Sequence, residues 1–159
     1  MYVVFADSAH ADCDEGRSTA CDLQVFQGGI IDHISWVPNP IPQSTAESES
    51  NCYSAAIARS RFPFKAICNI LFGNPDCDYT IPIFVDSSAA ISMNTTDKPT
   101  KRTRHIESRY WYGKQQCAQG RAKLYKVDGA TQQAADIGTK IIQAHESRYY
   151  RYLFEGDHY

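Results

Sequence analysis

Apolar residues fill Tyr2-Val3-Val4-Phe5-Ala6 without a polar interruption, and Asp7 ends the run. Such continuity predicts a strand buried on both faces rather than one with a wet side. The polar stretch from Asp12 to Thr19, which carries Gly16, predicts a turn or loop. A second strand follows over Cys21 to Gln27, then a tight turn at Gly28-Gly29 and a return strand over Ile30 to Val37. Pro38, Pro40 and Pro42 forbid further pairing and close the meander. The chain therefore opens with three adjacent antiparallel strands.

Helical signals come next. Ser44 or Thr45 caps a helix, with Glu47 as the capping-box partner. Ala46, Glu49, Tyr53 and Ala56 fall on one face at the helical period. Pro63 is expected to break or kink this helix, with Phe64 to Phe72 as its continuation, and Gly73-Asn74-Pro75 stops it. Ile81 to Val85 predicts a fourth strand, ended by Asp86. Ser87 to Asn94 predicts a short helix, Thr95 to Thr103 a polar basic loop, and His105 to Gln119 a helix closed by Gly120. Arg121 to Val127 alternates apolar and basic residues and predicts a fifth strand. Gly129 to Ile142 predicts a turn and helix carrying Asp136, and a terminal helix is expected over about 144–154, with aromatic residues to pack on the domain. This order describes an α/β fold: a five-stranded mixed sheet, three antiparallel then two parallel strands, with helices on both faces. In such a sheet Asp7 and Asp86 end neighbouring central strands.

Composition narrows the class. A chain of 159 residues is expected to form a single domain over 1–159. With 43% apolar and 21% charged residues it is a globular sequence and not a disordered one. No apolar stretch is long enough to span a bilayer, so no membrane partner is expected. The opening run lacks a basic flank and is cut short by Asp7, which favours a strand over a secretion signal. The six cysteines form no CxxC pair and no Cys/His zinc spacing; they are expected to be reduced and structural, with Cys52 and Cys68 packing as small hydrophobes. Charge is uneven along the chain. Residues 1–50 hold eight acids and one base, whereas residues 51–159 hold ten acids and fifteen bases. An acidic pocket beside a basic surface suits a site that gathers cations and holds a polyanion.

The acids themselves carry the chemistry. Asp7 and Asp86 sit at strand ends, Glu49 lies just inside the first helix, and Asp136 lies in the last short helical stretch. Each alone has an ordinary explanation as a turn residue, a helix-dipole partner or a solvated helix residue. Together they can converge on a pair of divalent ions, the electrostatic setting for cutting a phosphodiester. An all-oxygen ligand set suits Mg²⁺, with Mn²⁺ as the alternative.

Several segments, in order, resemble a known family. They are Phe5-Ala6-Asp7-Ser8-Ala9 with Gly16-Arg17-Ser18-Thr19; Ile34-Ser35-Trp36; Ser44-Thr45-Ala46-Glu47-Ser48-Glu49; Val85-Asp86-Ser87-Ser88-Ala89-Ala90-Ile91; Arg102-Thr103-Arg104-His105-Ile106-Glu107-Ser108-Arg109-Tyr110; and Ala135-Asp136-Ile137-Gly138-Thr139-Lys140. Over roughly residues 3–154 the chain resembles the ribonuclease H domain of copia-type LTR retrotransposons. It departs from that pattern at His10, where the family has Trp, at Ser87, where it has Asn, and at Gly138 and Ile141-Ile142 around the last acid. Residues 127–135 hold no histidine, so the mobile histidine of cellular ribonucleases H has no counterpart. None of these departures removes a carboxylate.

The resemblance implies a ribonuclease H-like fold and two-metal hydrolysis of the RNA strand of an RNA–DNA hybrid. By that likeness Asp7 would bridge both ions, Asp136 would complete the site that activates water, and Glu49 with Asp86 would hold the ion at the leaving oxygen. Ser8, Ser44, Ser48, Asn51, Ser87 and Ser88 are candidate contacts to 2′-hydroxyls. Lys98, Lys101, Arg102 and Arg104 are candidate contacts to DNA phosphates. The implied partner is a reverse transcriptase domain of the same polyprotein, and the implied setting is cytoplasmic, within virus-like particles. Two alternatives stand beside this expectation. One is a catalytically inactive or domesticated module that only binds nucleic acid or a protein. The other is a transposase or integrase core, disfavoured because that class places Glu last, whereas here Glu49 comes second and Asp136 last.

Overall fold

A computed structural model describes residues 1–39, 41–74, 79–95, 108–129, 131–140 and 150. Five strands form one sheet: β1 (Tyr2–Ala9), β2 (Thr19–Phe26), β3 (Gly29–Trp36), β4 (Ile81–Val85) and β5 (Ala122–Lys126), in the spatial order β3-β2-β1-β4-β5. β1 pairs antiparallel with β2, and β2 with β3. β4 runs parallel to both β1 and β5. The expected arrangement of three antiparallel and two parallel strands is therefore present. Because β1 and β4 are parallel neighbours, with Val4 opposite Ile83, the residues that end them leave the sheet at the same edge. The hairpin turn sits one residue earlier than the glycine pair suggests. Gln27 and Gly28 take the positive φ values of 52° and 88° that a two-residue hairpin requires, and Gly29 already belongs to β3.

Helix α1 (Thr45–Phe72) packs across the sheet. Ser44 is its cap: Ser44 Oγ accepts from the Glu47 backbone N–H at 3.2 Å, and Glu47 Oε2 reaches back to the Gln43 N–H at 2.8 Å. The helix does not stop at Pro63 but continues through it, 28 residues in all, until Gly73 ends it at a φ of 62°. Proline removes one backbone donor. That loss is offset here by burial, since Tyr53, Ala56 and Ile57 before the proline and Cys68 after it all lie in the interior. Beyond Ser60 the outer side of α1 turns apolar and exposed, at Phe62, Ile70, Leu71 and Phe72. Helices α2 (Ser88–Thr95) and α3 (Ser108–Ala118) complete the layer on this face.

The main core lies between sheet and helices and includes Tyr2, Val4, Ala6, Tyr53, Ile57, Ile83 and Val85. Trp36 packs against it, as a structural residue would. The opposite face carries a smaller cluster of Cys21, Leu23, Ala134 and Ala135, and an aromatic row in which Phe5 stacks on Phe84 and Phe84 meets Tyr125. On that face, among the described residues, a 3₁₀ turn at Ala134–Gly138 replaces the α-helix expected over Gly129 to Ile142. The expected terminal helix at 144–154 lies outside the described residues except for Tyr150, which is buried. The cysteines at 13, 21, 52, 68 and 117 are free thiols, with Cys52 and Cys68 buried as anticipated. No described helix is long and apolar enough to cross a membrane.

A buried polar network ties α1 to the sheet. Arg59 donates to Asp22 Oδ2 at 2.6 Å and to Asp32 Oδ2 at 2.7 Å, Gln24 donates to Asp32 at 3.2 Å, and the Tyr2 hydroxyl donates to Gln24 at 2.7 Å. Asp22 has no exposed surface, so removing its cation strands a buried anion. Arg59→Ala should lower the unfolding free energy by about 2–3 kcal/mol, read from the urea midpoint. Adding Asp22→Asn should restore part of that loss; an unmoved midpoint in the single variant would show that the network contributes nothing.

Candidate active site

Four elements bring the acids together. Asp7 lies near the end of β1, opposite Cys21 of β2. Asp86 follows the last residue of β4. Glu49 is on the first turns of α1, fixed by the Ser44 cap and by Cys52, whose Sγ donates to the Asp7 carbonyl at 3.0 Å. Asp136 sits in the 3₁₀ turn, which Gln133 anchors: its Nε2 donates to the Ala6 carbonyl at 3.0 Å. Gly138 holds the other end of that turn, its carbonyl accepting from Ser35 Oγ at 2.6 Å. A Cβ at Gly138 would run into Cys21 Sγ, so only glycine lets the turn lie this close to the sheet.

One oxygen from each of Asp7, Glu49 and Asp86 lies within 4.8 Å of the other two. Asp136 is outside that trio but within hydrogen-bonding reach of Asp7, which is thus common to both groupings. Asp7 Oδ2 also accepts from the Thr139 hydroxyl, and Asp136 Oδ1 accepts from Lys140 Nζ at 2.7 Å. The setting disfavours charge on Glu49, Asp86 and Asp136. Burial first, then Asp7 and Asp86, push Glu49 up to about 9, although a Ser8 backbone N–H donates to its carboxylate. Asp86 and Asp136 are raised too, each by burial first and with Asp7 adding to it. Lys140 would be lowered by burial, but Asp136 and the other carboxylates override this and raise it.

Asp7, Glu49 and Asp86 fit a hard divalent ion. The donors are all oxygen, as magnesium prefers. Glu49 is almost fully buried, yet its Oε2 has no hydrogen-bond partner. Gly129 leaves room beside Asp86, where a Cβ would fall 2.6 Å from Oδ2.

The nucleic-acid candidates divide by exposure. Ser88 is exposed and accepts from Lys126; Ser87 is half-buried and accepts from the Ala90 N–H at 3.2 Å; Ser44 is exposed but engaged in capping. Ser8 and Ser48 are buried, with hydroxyls lacking a partner. Asn51 lines a separate cleft of about 300 Å³ between Trp36 and Tyr112. Lys98, Lys101, Arg102 and Arg104 lie outside the described residues. Sequence reasoning assigned no role to Gln133, Thr139 or Lys140, although the last two stood in the segment quoted for Asp136; only the paired backbone shows what they touch.

No family model and no curated protein matches the chain. Solved structures do. The RNase H1 of the halophilic archaeon Halobacterium salinarum NRC-1 superposes with a TM-score of 0.61 at 15% identity, over 93% of this chain and 97% of that one. The fold is ribonuclease H-like. The N-terminal RNase H domain of a Mycobacterium tuberculosis protein gives 0.59 at 13% identity, over 87% of this chain and 89% of that one. LC11-RNase H1, solved in complex with an RNA/DNA hybrid, gives 0.60 at 10% identity, over 87% and 94%.

A carboxyl with a raised pKa keeps in the fold a proton that the unfolded chain has released. For Glu49 this window runs from the ordinary 4.5 to about 9. The metal-free protein should therefore lose stability as pH rises from 5 to 8. Mg²⁺ should raise the melting temperature more at pH 8 than at pH 5, and Glu49→Gln should flatten the metal-free profile. A metal-free melting temperature that climbs over this range would contradict the picture.

Proposed function

We propose that this chain is a metal-dependent ribonuclease H, an endonuclease hydrolysing the RNA strand of RNA–DNA hybrids. The observation that carries the reading is the meeting of Asp7, Glu49 and Asp86, with Asp136 against Asp7, on a ribonuclease H-like sheet. The hybrid bound to LC11-RNase H1 supports the choice of substrate. The resemblance to copia-type domains further supports a place in retrotransposon reverse transcription, beside a reverse transcriptase domain.

Asp7 would serve both cation positions, Glu49 and Asp86 would complete one, and Asp136 the other. Ions bound there supply positive charge for in-line displacement at a phosphodiester. The frame of β1, β4 and α1 holds its carboxylates in place before substrate arrives, so little reorganisation is left for the reaction itself. Exposed Ser88 and half-buried Ser87, beside Asp86, would meet a 2′-hydroxyl, the group that separates RNA from DNA. The basic residues Lys98, Lys101, Arg102 and Arg104 would hold the DNA strand.

The test uses labelled RNA–DNA hybrid, RNA duplex and DNA duplex, each with Mg²⁺ or EDTA. RNA should be lost from the hybrid alone, and only with metal. Asp7→Asn should cut the rate roughly a thousandfold, equivalent to several kcal/mol of transition-state stabilisation. Undiminished cleavage by that variant would sink the assignment. Hybrid binding without cleavage by the wild type would favour the inactive binding module.

A further inference from the structure

The two halves of the carboxylate cluster are not equivalent. Asp7, Glu49 and Asp86 present three oxygens to one another with no protein cation bonded to any of them among the described residues. Asp136 is held differently, because Lys140 Nζ sits 2.7 Å from its Oδ1. The local backbone builds this pairing: the N–H groups of Thr139 and Lys140 both donate to the Asp136 carbonyl, at 3.1 and 2.9 Å. The lysine is thereby tethered at its α-carbon beside the acid it neutralises.

This contact differs from an ordinary surface pair four residues apart, which contributes only a few tenths of a kcal/mol. The Asp136 side chain is 12% exposed, and the ammonium also interacts with Asp7, Asp86 and Glu49. It is a shared counter-charge for the whole cluster. The Lys140 side chain is 48% exposed, so its four-carbon stem can carry the charge out into water.

We propose that Lys140 is a displaceable resident cation of the carboxylate cluster, which leaves the Asp7/Asp136 position free for a second divalent ion only by swinging off Asp136. This rests on the metal-dependent reading above. Charge counting supports it. Four carboxylates carry −4 when ionised. One divalent ion and one ammonium bring +3, a near-balanced resting state. A second divalent ion beside an unmoved ammonium would bring +5, so the ammonium is repelled as that ion enters. The consequence is ordered binding: the open trio fills first and more tightly, and the position guarded by Lys140 fills second and more weakly.

Manganese titration of the full chain, with free Mn²⁺ counted by electron paramagnetic resonance, tests this directly. The wild type should bind one ion tightly and another more weakly, and Asp7→Asn should impair both. Lys140→Met keeps the length of the side chain and removes its charge; it should tighten the weaker position about five- to tenfold and move the tighter one by about twofold or less. Lys140→Arg keeps the charge and should behave as the wild type. The melting temperature of metal-free Lys140→Met should fall, since it loses the cation that offsets the acids. Because Lys140 is half exposed, neither variant removes core packing. If wild type binds two ions and Lys140→Met binds the second no more tightly, the Lys140 proposal is overturned while the metal site stands. If wild type binds no Mn²⁺ that depends on Asp7, the proposal falls together with the functional reading.

Discussion

Mutual repulsion among buried carboxylates is the constraint around which this end of the molecule is arranged. Asp7 and Glu49 are buried and Asp86 is half-buried, and three carboxylates within 4.8 Å would drive apart any pliable set of loops. They are held because every element that carries them is tied to β1 or β2 by uncharged groups. Cys52 fixes α1 to the Asp7 carbonyl, Gln133 fixes the 3₁₀ turn to the Ala6 carbonyl, and the tight fit of Gly138 on Cys21 brings that turn onto β2. The acids are thus placed by neutral hydrogen bonds and packing, which leaves Asp7, Glu49 and Asp86 with no bonded cation among the described residues.

The same helix shows the opposite solution ten residues further on. There α1 contributes Arg59, which pairs with one carboxylate oxygen of Asp22 and one of Asp32. Two acidic groupings border one helix and one sheet. The first carries its own fixed guanidinium and is structural. Among the described residues, the second has only the half-exposed Lys140 ammonium at its margin. The contrast separates a scaffold from a site on physical grounds, independent of any relative.

Most of the frame was legible in the sequence because its signals are local. Unbroken apolar runs marked β1 and β4, prolines ended β3, and Ser44 with Glu47 announced α1, which placed Glu49 correctly. The errors fall where distant groups decide the outcome. The turn carrying Asp136 was read as a helix because its residues have adequate helical propensity. Its real shape depends on Gln133 reaching Ala6 and on Gly138 lying against Cys21, contacts more than a hundred residues apart. At Pro63 a break was one of the readings left open, and the continuation over Phe64 to Phe72 is the one found, because the helix is buried on either side. The clamp of Arg59 on Asp22 and Asp32 was unreadable: nothing along the chain says that these strand positions face α1. The basic stretch at Lys98 to Arg104, plain in the sequence, falls outside the described residues.

The span between Ala6 and Gln133 has a consequence for biosynthesis. Ribosomes release polypeptide from its first residue onward, and sheet pairing can begin as soon as the hairpin of β2 and β3 emerges. Asp136 and Lys140 follow Asp7 by more than a hundred residues. A nascent molecule can therefore fold much of its scaffold while its carboxylate cluster is still missing a member. The four carboxylates can therefore meet only after residue 140 has left the ribosome.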